Sequence, residues 1–180
     1  MSLFLATLVT GLFLIALGVV VFTGGTRLAA PALRAMRSMP LAVVLMGGAL
    51  VWFLYKITQL GEADFGQYKN VLFLIFASVG GLSFFVLKDF LAVRGGAVLV
   101  ILVAKILLGA AYMQYAFPQR LFLVSFIYVA IILALWVGAS PFQLRNASEW
   151  ILKTAARARL VGGMVGAYGV LLSVVAFTYN

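Results

Sequence analysis

The stretch LFLATLVTGLFLIALGVVVF, residues 3–22, runs for twenty residues without a charge, and its reading decides the fold class. A helix rises about 1.5 Å per residue, so this length matches a hydrocarbon core of about 30 Å. Five further stretches approach it: Leu41–Tyr55, Asn70–Leu87, Gly96–Ala116, Leu121–Val137 and Leu160–Phe177. The shortest, Leu41–Tyr55, continues towards Leu60 if the Lys56 stem reaches outward along the helix. The runs are continuously apolar and do not alternate over about 10 residues, so they read as helices and not as barrel strands. The expectation is an all-α polytopic integral membrane protein. A six-transmembrane-helix bundle would form a single domain over residues 1–180, with short interfacial helices on its cytoplasmic side.

Composition points the same way. Of 180 residues, 66% are apolar and 9% charged, with a mean hydropathy of +1.19. A soluble domain carries about a quarter charged residues, and a disordered chain carries far less apolar surface. The 13 Lys and Arg against 4 Asp and Glu leave a net charge of +9. These bases lie between the apolar runs, so they report topology and contact with anionic headgroups, not nucleic acid.

Arg27, Arg34, Arg37, Lys88, Arg94, Arg145, Lys153, Arg157 and Arg159 fall on one side of the six spans; Lys56, Lys69 and Arg120 fall on the other. The richer side is expected to be cytoplasmic, which puts both termini on the non-cytoplasmic face. Abundant Ala, Gly and Arg lean towards a bacterial plasma (inner) membrane. The first span lacks a basic start, so it reads as retained and not as a secretory signal.

Two longer loops carry most of the bases. In TGGTRLAAPALRAMRSMP, residues 23–40, Pro31 suits a first helical turn and Pro40 discourages continuation. A short helix there places Arg34 and Arg37 on one side, at the lipid phosphates, and Leu33, Met36 and Met39 on another. In SPFQLRNASEWILKTAARAR, residues 140–159, Asn146 and Glu149 resemble a capping box. Glu149, Lys153 and Arg157 then follow at four-residue spacing, with Lys153 and Arg157 directed at headgroups and Trp150 anchoring beside them. PALR and PFQLR, each ahead of a glycine pair, share a rhythm open to two readings: ordinary turn chemistry, which is favoured, or an ancestral duplication of helix pairs. The Asn146-Ala147-Ser148 triplet is a chance match to a glycosylation acceptor in a loop read as cytoplasmic.

Lipid removes the hydrophobic drive between helices, so close packing rests on small residues. Gly162, Gly166, Gly169 and Ser173 form one such stripe in the sixth span, read as packing within the chain's own bundle in preference to an intermolecular site. Gly11, Gly18 and the Gly80–Gly81 pair suit the same purpose.

The chemistry-bearing residues are few. Histidine and cysteine are absent, which removes imidazole and thiolate ligands, and no phosphate loop, dinucleotide fingerprint or nucleophile elbow occurs. The expectation is no cofactor, no metal and no catalysis. Glu62, Asp64, Asp89 and Glu149 all lie outside mid-membrane depth, unlike the carboxylates of proton and cation carriers. Asp89 either holds Arg94 or caps a helix.

Lys105 is the exception, lying within GAVLVILVAKILLGAAYM, residues 96–113. An ammonium at mid-span costs about 2.5–3.5 kcal/mol on the insertion scale, so it is expected to face protein or water. Ile101, Leu108 and Gly109, one turn away, offer no side-chain acceptor. Three roles are open: bonding to carbonyls or to hydroxyls such as Ser125 and Tyr128, or snorkelling; pairing with a carboxylate of another subunit; or attracting an anionic substrate or quinone. The leading expectation is a non-catalytic multi-pass subunit, in contact with lipid and with other membrane-protein subunits in a homo- or hetero-oligomer. The alternative is a small permease or channel for a neutral or anionic solute, with Lys105 lining the path. A lipid- or quinone-directed enzyme would have only Lys105, Tyr112, Tyr115 and surface acids to work with.

Overall fold

Helices form wherever the apolar runs lie, and short polar caps fix where they begin. A computed structural model describes residues 1–86 and 89–179. Helix α1 covers Leu3–Gly24, opened by Ser2, whose hydroxyl accepts from the Leu5 N–H at 3.3 Å. It closes at Gly25, whose φ of +50° and ψ of −134° suit glycine alone. A 3-10 turn leads to the short helix α2, Ala29–Met36. Ser38 then caps α3, Met39–Thr58, with Pro40 in its first turn, where the missing N–H costs nothing.

Two 3-10 turns, Glu62–Asp64 and Gly66–Tyr68, precede α4, Lys69–Val86. Phe90, left-handed at φ 58°, turns the chain into α5, Leu91–Ala111. Helix α6 spans Arg120–Ala139, the short α7 Phe142–Leu152, and α8 Ala155–Ala176. Among the described residues, six helices (α1, α3, α4, α5, α6 and α8) are long and apolar enough to cross a bilayer. At about 1.5 Å per residue, α2 and α7 are too short to do so.

The most extensive interface among the described residues joins α1 and α8, which run antiparallel. Helix α5 is central, with α3 on one flank and α6 on the other. Leu14, Ala104, Leu123, Ile127 and Leu172 knit α1, α5, α6 and α8 into one core. A smaller cluster of Ala42, Leu91 and Ala92 joins α3 to the start of α5. Helix α4 packs chiefly against α3, where Phe53 and Phe76 meet edge-on at 5.0 Å. Helices α2 and α7 touch each other at one end of the bundle.

Several boundaries differ from the sequence expectation: α5 ends at Ala111 instead of Ala116, and α8 begins at Ala155 instead of Leu160. Helix α5 starts at Leu91 instead of Gly96, because Gly95 is a packing position and not a turn: a Cβ there would lie 2.5 Å from the Met46 backbone nitrogen of α3. Helix α7 starts beside Pro141, which leaves Asn146 inside the helix, its side-chain oxygen accepting from Arg145. Because α7 ends at Leu152 and α8 begins at Ala155, Lys153 sits in a break and the four-residue charge series is interrupted. Glu149 pairs with Arg145 at 3.7 Å instead. Leu87, the expected end of the third span, and Lys88 lie outside the described residues.

Candidate functional site

Small side chains let α1 and α8 approach at backbone distance. A Cβ on Gly18 would lie 2.5 Å from the Gly166 nitrogen, and one on Gly11 would lie 2.8 Å from the Gly169 carbonyl oxygen. From the other side, a Cβ on Gly162 would lie 2.6 Å from the Phe22 nitrogen, and one on Gly169 2.7 Å from the Gly11 oxygen. The stripe of Gly162, Gly166, Gly169 and Ser173 therefore lies against α1.

Ala158, Gly162, Val165, Gly169, Leu172 and Ala176 alternate steps of four and three, the repeat that keeps one seam continuously facing a partner helix. On α1 the buried Leu3, Thr7, Thr10 and Leu14 follow the same steps. Their hydroxyls cost the seam little: Thr7 donates to the Leu3 oxygen at 2.9 Å and Thr10 to the Ala6 oxygen at 2.7 Å. Ser173 likewise donates to the Gly169 oxygen at 2.9 Å. Phe4 and Phe177 close one end of the seam edge to face, at 5.7 Å.

Lys105 lies elsewhere, on the outward face of α5. At about 100° per residue it falls midway between Gly95, which meets α3, and Ala97, which meets Gly138 of α6, roughly 80° from each. The residue is exposed, and among the described residues its ammonium has no hydrogen bond, ion pair or aromatic ring. Ser125 and Tyr128, named above as its acceptors, are not brought to it. The earlier start of α5 also moves it off centre. Fourteen residues separate it from Leu91 and six from Ala111, so it is about 9 Å from the nearer helix end.

The basic residues of the two loops divide. Arg34, Arg37 and Lys153 are exposed, with the Arg37 guanidinium 5.2 Å from the centre of the Phe90 ring. Arg157 is engaged within the chain: it stacks 4.6 Å over Trp150 and donates to that residue's carbonyl oxygen at 3.4 Å. Asp89 and Arg94 form no ion pair among the described residues.

Two fixing contacts carry no sequence signal of their own. Arg120 donates to the Ala111 carbonyl at 2.7 Å, capping α5 from the far side of its loop, and lies 4.7 Å over Tyr115. The Tyr168 hydroxyl donates to the Phe122 carbonyl at 2.9 Å and so ties α8 to α6.

An open apolar cleft of about 720 Å³ lies between α1, α3, α5 and α6, with α2 and α7 across one end. Leu14, Ala35, Leu45, Ala97, Ala130 and Leu133 are among its walls. A smaller groove of about 340 Å³ between α6 and α8 includes Ser125 and Tyr168. Lys105 lines neither. Among the described residues, no three His, Cys, Asp or Glu side chains gather where a metal ion would sit. No protein-family model, no curated protein and no solved structure matches this chain.

Proposed function

We propose that the chain is a polytopic membrane protein that acts as a non-catalytic subunit, packing against partner membrane proteins within a larger complex. Support for the membrane begins with its surface. Large apolar side chains face outward on every long helix, among them Leu74, 66% exposed, and Phe85, 76% exposed. In water such a surface would aggregate; in lipid it is solvated. With the basic ends of α2 and α7 towards the cytoplasm, both termini would lie on the opposite face of a bacterial inner membrane. Arg34, Arg37 and Lys153 would then meet headgroup phosphates.

The observation that carries the subunit reading is the inertness of the interior. The buried hydroxyls of Thr7, Thr10 and Ser83 are each closed onto a carbonyl of their own helix, and the cleft between α1, α3, α5 and α6 has apolar walls. Arg94 Nε, Gln119 Oε1 and Tyr179 Oη are buried without a partner among the described residues, but none of these residues lines that cleft. Its walls offer neither a ladder of acceptors for an ion nor an acid–base pair for a reaction. The chain's value to a cell would lie in its shape and its outer faces. Gentle detergent extraction of the tagged chain from its native membrane is expected to return partners in fixed stoichiometry. Recovery as a lone monomer would overturn the proposal.

A further inference from the structure

Among the described residues, Lys105 sits deeper within an apolar helix than any other charge, and the bundle turns it outward. We propose that this face of α5 docks a transmembrane helix of a different membrane protein, one that carries an Asp or Glu at the depth of Lys105. The inference rests on the subunit reading and gives the partner a chemistry.

Three observations carry it. Lys105 is exposed on α5, six residues short of its Ala111 end, and has no acceptor among the described residues, while lipid tails offer none. Second, the face is open and shaped for another helix. Gly109, one turn along, has empty space where a Cβ would be, which lets a partner backbone approach beside the lysine, while Tyr112 is 68% exposed at the end of the same stripe.

Third, a second copy of this chain cannot supply the counter-charge. Its four carboxylates are Glu62 and Asp64 in the turns before α4, Asp89 ahead of α5, and Glu149 in the short α7; none lies within the six long helices. Two copies meeting on this face would set lysine against lysine. A hetero-partner is required.

The test uses purified full-length chain in liposomes with a fluorescent probe, a leucine–alanine transmembrane peptide bearing one Glu six residues from the end that lies with the Ala111 end of α5. Matched peptides carry Gln or Leu there. Energy transfer is expected to show the Glu peptide bound at least about tenfold more tightly than either control, as expected for a charge pair in hydrocarbon. Lys105→Met should erase that preference and Lys105→Arg keep it, with helical circular dichroism unchanged in both. Equal binding of the three peptides, or a Glu preference that survives Lys105→Met, would overturn the docking face. A native complex that stays intact with Lys105→Met would remove this face while leaving the subunit reading standing; a lone chain on extraction removes the subunit reading, whatever the peptides do.

Discussion

At Gly18 the side chain is a hydrogen atom, and the space admits nothing larger. Its nearest neighbours across the seam are backbone atoms of Gly162 and Gly166, which cannot rotate aside. Gly18→Ala therefore has to push α1 from α8, at a cost of about 1–3 kcal/mol for a single added methyl in a full interface. Gly47→Ala is the control: nothing lies within 4 Å of the added carbon, so stability should hold or rise by up to about 1 kcal/mol from helix propensity. Thermal unfolding of both variants in detergent measures the contrast, and equal behaviour would remove the seam from the stability account. A second residue test concerns the α5 end. Arg120→Gln loses a charged hydrogen bond and a ring contact, an expected loss of about 1–3 kcal/mol that faster proteolysis within residues 112–119 should report. Lys105 stood out in the sequence as a misplaced charge. Its outward direction did not, because direction depends on where α3 and α6 touch α5, and no local signal encodes that.

Among the elements, α4 is the least supported. Only Gly80 and Ser83 are buried along it, and its chief neighbour is α3. Helices held by few contacts open locally at small free-energy cost. Hydrogen exchange in detergent is thus expected to label α4 well before α5 or α8, and Phe76→Ala should widen that gap by removing the edge-on contact with Phe53. Simultaneous exchange of all six long helices would contradict this. Helix existence was legible from hydropathy because an apolar run of this length has one way to satisfy its backbone. Helix ends were less so. Arg94, Gly95 and Gly96 look like a turn by composition, yet Gly95 lies inside α5 because α3 needs its missing side chain. Asn146 and Glu149 have capping-box spacing, yet Pro141 starts α7 a turn earlier and Arg145 takes the glutamate. In both places a tertiary or upstream signal outweighed a local one.

For the whole molecule, the arrangement predicts that α2 and α7 share one side of the membrane and the turns before α4 share the other. The absence of cysteine makes this directly measurable. Single cysteines at Arg34 and Lys153 should react with an impermeant thiol reagent from the same side, and one at Gln67 from the opposite side. Labelling of Arg34→Cys and Lys153→Cys from opposite sides would overturn the six-span path. The small-residue stripe of α8 was visible as a packing surface, and so were Gly11 and Gly18. Their union was not, since each stripe alone is compatible with any helix of the bundle.

That union joins two helices far apart along the polypeptide, and it orders events during manufacture. Helix α1 keeps its glycine groove vacant until α8 leaves the ribosome, with the long helices α3, α4, α5 and α6 translated in between. Until then, other helices in the crowded bilayer compete for the groove, and the cell has to shield it or tolerate mispairing. A stop codon anywhere before α8 would leave a product that is inserted but never latched, a natural target for membrane proteases.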